Sequence, residues 1–158
     1  MKHVWIFFKF RHLFGGLLIS GVVTCAAQAQ TPDTLPYDTP TTVSGIETVC
    51  TGVAVNPEDM PRWNSYPLKV IVTGKGGQFL AGEQVDVSKN GQNIVSVICE
   101  GPWVLFKLAP GDYRVRATVD GKSVDSPAHA PKTGQGRIVL RFPDSGGSIS
   151  PQHTPGGN

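Results

Sequence analysis

From residue 67 to residue 142 apolar and polar side chains alternate in short runs, each bounded by a turn signal. A period of two places successive side chains on opposite faces of an extended chain, so these runs predict strands with one buried face. The clearest is 112–119, where Tyr113, Val115, Ala117 and Val119 share one side and Asp112, Arg114, Arg116 and Thr118 the other. Comparable faces are Leu68, Val70 and Val72; Val85 and Val87; Val95, Val97 and Cys99; Val104, Phe106 and Leu108; and Ile138, Leu140 and Phe142. A seventh, weaker strand is expected over 123–127, where Pro127 and Pro131 favour an edge or a loop. Burying such side chains contributes roughly 1.5–3 kcal/mol each, enough in sum for a small core.

Turn chemistry then suggests neighbours. Asn90-Gly91 lies between Val87 and Ile94, and Asp120-Gly121 between Val119 and Val124. Both dipeptides suit the type I′ turn, whose twist matches that of a hairpin. Ala109-Pro110-Gly111-Asp112 has the residues of a type II turn, which predicts that strands 103–108 and 112–119 are also adjacent. The expectation is an all-β, seven-stranded antiparallel β-sandwich over residues 45–143.

Composition agrees with a turn-rich β protein: glycine numbers 19 and proline 13, while charged residues reach only 16%. The flanks look different from the centre. Residues 30–44 are rich in Thr, Pro and Asp and have few large apolar side chains, so they read as a disordered leader. The Gly-, Ser- and Pro-rich stretch 144–158 reads as a flexible tail.

Residues 1–29 have the layout of a signal peptide. Lys2, Lys9 and Arg11 precede an apolar run from Leu13 to Ala27, and the segment closes on Ala27-Gln28-Ala29, a small–x–small triplet that fits cleavage before Gln30. A retained anchor would need about 20 apolar residues, and this run is shorter and carries polar positions, so no membrane span is expected after removal. Lipidation at Cys25 is disfavoured because Thr24 stands where that signal carries Gly or Ala. Without residues 1–29 the chain has eleven basic and twelve acidic residues, a net charge of −1. A near-neutral domain with no run of Lys or Arg lacks the positive field that nucleic-acid binding uses.

The expected location is therefore periplasmic or secreted. There, the two cysteines that remain, Cys50 and Cys99, read most simply as a disulfide, the alternative being two buried thiols. No Cys-x-x-Cys occurs to suggest redox catalysis.

The stretch from Val104 to Ala117, with Leu108, Pro110, Gly111, Tyr113 and Val115, resembles the carboxypeptidase regulatory-like, or transthyretin-like, family of β-sandwich domains. The segment Leu80-Ala81-Gly82-Glu83-Gln84-Val85-Asp86-Val87 extends the likeness, which spans about residues 67–142. The resemblance implies an immunoglobulin-like or transthyretin-like, Greek-key sandwich, most like the family's small exported bacterial members. It implies no single activity, since such folds host many roles. The family's hydroxyisourate hydrolases end in a Tyr-Arg-Gly-Ser motif, whereas this chain ends in Thr-Pro-Gly-Gly-Asn.

Candidate chemistry is sparse. Beyond the signal segment the histidines are His129 and His153, too few for the three or four convergent ligands of a zinc site, and no metal or cofactor is expected. No Gly-x-Ser-x-Gly accompanies them, so a hydrolase centred on His129 is the least supported reading. Trp63 and Tyr66, in the loop Pro61–Pro67, are candidate ligand contacts: they could stack on a sugar or a partner surface, or cap an open end of the sandwich. Arg114 and Arg116, with Arg137 and Arg141, should project outward as an anion-binding patch or as a solvated row. The expected function is an exported, non-catalytic binding or structural module of the cell envelope with a protein partner. The alternative is a carbohydrate-binding module using Trp63 and Tyr66.

Overall fold

A computed structural model describes residues 31–52 and 57–143. The signal segment expected at 1–29 and the tail expected at 144–158 lie outside the described residues. The strands are β1 (Asp33–Thr34), β2 (Thr41–Val43), β3 (Ile46–Thr51), β4 (Leu68–Gly74), β5 (Glu83–Lys89), β6 (Gln92–Cys99), β7 (Trp103–Phe106), β8 (Gly111–Val119), β9 (Lys122–Ala130) and β10 (Gly136–Phe142), with a 3-10 segment over Pro57–Ser65. They form two five-stranded sheets. The first has the order β1-β6-β5-β8-β9 and the second β10-β4-β7-β3-β2.

Inward side chains of the two sheets meet in one core. Val85, Val87, Val95, Val97, Val115 and Ala117 from the first sheet pack with Leu68, Val70, Val72, Val104, Phe106 and Leu140 from the second. The arrangement is sandwich-like, as the alternation predicts. All seven expected strands are present, but the architecture is not a seven-stranded antiparallel one. Two pairings are parallel, β1 with β6 and β10 with β4. Parallel pairs join strands distant in sequence, so no turn signal marks them.

Three further strands lie before residue 52, and the leader expected at 30–44 supplies two of them. Leu35 is buried at 4% exposure and its N–H donates to the Ile98 carbonyl, while Asp38 N–H donates to the Cys50 carbonyl. The strap thus runs from the edge of the first sheet to the edge of the second. Backbone pairing and two apolar anchors, Leu35 and Val43, order a segment whose polar composition suggested otherwise. Ser44-Gly45, with φ of 51° and 78°, makes a third tight hairpin between β2 and β3, like Asn90-Gly91 and Asp120-Gly121.

The neighbours expected from the Pro110-Gly111 turn are also corrected. β7 lies in the second sheet between β4 and β3, and β8 lies in the first between β5 and β9. The turn is therefore a corner between sheets: a reversal of direction fixes the bend but not the layer that the chain enters. Tyr113 Oη donates back to the Ala109 carbonyl at 2.7 Å, the bond of a tyrosine corner.

Cys50 on β3 and Cys99 on β6 form a disulfide with Cα atoms 5.3 Å apart, 49 residues apart in sequence. It joins one sheet to the other beneath the N-terminal strap. β9, expected as an edge or a loop, is the edge of the first sheet and pairs with β8 along its whole length.

Candidate functional site

The outward positions of β5, β6, β8 and β9 make a polar face on the first sheet. Alternation sends Val85 and Val87 inward, and therefore sends Gln84, Asp86 and Ser88 outward. On β8 the same rule exposes Asp112, Arg114 and Arg116. Register aligns these side chains in rows: Asp86 lies opposite both Ser96 and Arg116, Arg116 opposite Asp125, and Ser88 opposite Arg114. A shallow concavity of about 490 Å³ is lined by Gln84, Asp86, Ser88, Asn93, Arg114 and Arg116.

Its polar groups are mostly engaged with one another. Asp86 accepts from Gln84 Nε2 at 3.1 Å and from Ser96 Oγ at 2.5 Å. Arg114 pairs with Asp125, and His129 Nδ1 lies 2.7 Å from Asp112 Oδ1 across the β8–β9 ladder. These pairs are exposed and add little to stability. Arg116, opposite two carboxylates, has no ion-pair partner among the described residues. Of the two arginines picked out from sequence on this face, it is the one available to a ligand.

Trp63 and Tyr66 are placed differently from what a stacking platform requires. They are 7% and 4% exposed and pack on Val49 and Leu105, the outward side chains of β3 and β7. The 3-10 segment thus roofs part of the outer face of the second sheet rather than presenting rings to solvent. Tyr66 Oη donates to Glu47 Oε1 at 2.8 Å, and Gln135 Nε2 donates to the Trp63 and Tyr66 carbonyls. Burial and the Glu47 carboxylate push the Tyr66 phenol well up, while the bonds from Tyr66 and Lys107 hold Glu47 down. A sequence window could not tell a ring packed on a sheet's outer face from one facing a ligand.

Glu83 is the residue that sequence reasoning passed over. It is fully buried, and neither carboxylate oxygen has a hydrogen-bond partner. The signal was there: Glu83 is in phase with Val85 and Val87 on the inward face. Burial, with a contribution from Glu100, raises its pKa to about 8, against an ordinary 4.5.

Among the described residues no three His, Cys, Asp or Glu side chains gather as a metal site would require. No helix among them is long and apolar enough to cross a membrane. The chain matches no protein-family model and no curated protein.

Proposed function

We propose that this protein is an exported, non-catalytic sandwich module of the carboxypeptidase regulatory-like type that binds a protein partner in the cell envelope through the outer face of its first sheet. The observation that carries the reading is Arg116, a cation left unpaired at the centre of a concave row of donors and acceptors. The disulfide supports an oxidising compartment, because such bonds persist outside the cytosol. The burial of Trp63 and Tyr66 supports this reading over the alternative of a carbohydrate-binding module that stacks a sugar on them.

The test is a photo-crosslinking residue placed at Thr118, on this face, and separately at Lys132, in the β9–β10 loop, in cells that export the protein. A discrete adduct from position 118 that disappears with Arg116→Glu supports the reading. Equal adducts from both positions, or none from position 118, contradict it.

A further inference from the structure

The outer face of the second sheet holds a different kind of surface. Arg137 lies opposite Lys69, Val139 opposite Ile71 and Arg141 opposite Thr73, and Phe79 bridges to Thr73 from the other side. Phe79 and Val139 remain 45% and 44% exposed. Lys69 Nζ rests 3.2 Å from the centroid of the Trp103 ring, and that ring meets Phe79 edge to face at 6.2 Å.

Two features of this strip are unsatisfied. Like charges directly opposite one another destabilise a ladder, yet Arg137 faces Lys69, and among the described residues neither has an acidic partner, nor does Arg141. Burial and the nearby Arg137 lower the Lys69 amine to about 8. Independently, Trp103 Nε1 and Thr73 Oγ1 are buried without any hydrogen-bond partner, in residues 7% and 5% exposed. Apart from the oxygens of Glu83 in the core, they are the buried side-chain polar atoms left unpartnered among the described residues. Leaving such an atom unpaired costs on the order of 1–3 kcal/mol. Cations and polar groups without partners therefore concentrate on one strip.

Spacing selects the occupant. Arg137, Val139 and Arg141 recur at every second residue of one strand, about 7 Å apart. An extended polypeptide has the same period, so carboxylate, apolar and carboxylate side chains at every second residue match cation, apolar and cation. The apolar middle, Val139 level with Ile71 and Trp103, distinguishes this from a row of phosphate contacts.

We propose that the outer face of β10 and β4, from Arg137 and Lys69 to Arg141 and Phe79, docks an extended acidic segment of a partner protein. Its carboxylates pair with Arg137, Lys69 and Arg141, and its apolar side chain covers Val139. Engaging Lys69 draws the ammonium off the Trp103 ring and uncovers the indole to the segment. The strip lies on the opposite sheet from Arg116 and stands or falls apart from that site.

The test is a titration of the 15N-labelled full-length exported protein with the peptide acetyl-Glu-Ser-Val-Ser-Glu-amide, whose two Glu and one Val share a face when extended, followed at the Trp103 indole and the β10 amides. The expected result is a saturable shift at Trp103 with none at Trp63, weakened about tenfold or more by Arg137→Gln and by Arg141→Gln, both exposed positions. Three controls share the readout: the charge-reversed acetyl-Lys-Ser-Val-Ser-Lys-amide (the Lys-Val peptide), sodium acetate at matched carboxylate concentration, and a short DNA duplex. No shift, an affinity unchanged in Arg137→Gln, an equal response to acetate or to the Lys-Val peptide, or tighter binding of the duplex would each overturn the proposal.

Discussion

Glu83 lies directly opposite Cys99 in the β5–β6 ladder, so a carboxyl without a hydrogen-bond partner borders the disulfide that joins the two sheets. A charge there would be buried and unpaired, and the proton is retained to about pH 8.

That relationship sets a pH dependence. In the unfolded chain Glu83 ionises near 4.5, whereas in the folded protein it stays protonated until about 8, so the folded state holds the extra proton and stability falls as pH rises between those values. The loss is about 5 kcal/mol if fully expressed. Lys69 acts with the opposite sign in the next window: its folded pKa of about 8 against an ordinary 10.5 makes stability rise from pH 8 to 10.5. Melting temperature against pH should therefore show a minimum near 8, with Glu83→Gln removing its acid limb and Lys69→Met its alkaline limb.

The disulfide closes a loop of 49 residues, which on the chain-entropy account stabilises the fold by about 4 kcal/mol. The double variant C50A/C99A should lose most of that in chemical denaturation while keeping the far-ultraviolet signature of strands. An unchanged midpoint would remove the staple from the account of stability.

The strap tests the N-terminal strands. Tyr37 lies so close to Gly52 and Gly101 that a Cβ at Gly101 would come within 2.6 Å of the ring and 2.4 Å of the Thr51 carbonyl oxygen. Gly101→Ala should destabilise the protein by about 1–3 kcal/mol and speed hydrogen exchange at Leu35 and Asp38. Tyr37→Ala should produce the exchange effect without the steric clash.

At the corner between the sheets, Tyr113→Phe removes the bond to Ala109 and leaves the ring in the core. A loss of about 1–2 kcal/mol is expected, read as a shift in the denaturation midpoint.

Much of the fold was legible because its central strands bury one face and expose the other, as in Tyr113 to Val119. β3 escaped that rule: Val49 is buried beneath Trp63 and Tyr66 on one face and Cys50 in the core on the other, so its pattern does not alternate. β1 and β2 were hidden because backbone hydrogen bonds hold them, and these leave no mark on composition. Arg114 and Arg116 were placed on the correct face by periodicity alone. That Asp125 pairs with Arg114 rather than with Arg116 depends on side-chain geometry across β8 and β9, which no sequence window contains.

The most direct measurement is the mass of the protein exported by living cells, taken before and after reduction. A chain beginning at Gln30 that gains about 2 Da on reduction, with the Cys50 and Cys99 peptides joined beforehand, is the predicted result. A product that keeps residues 1–29, or that carries two free thiols, contradicts the account of an exported module stapled between its sheets.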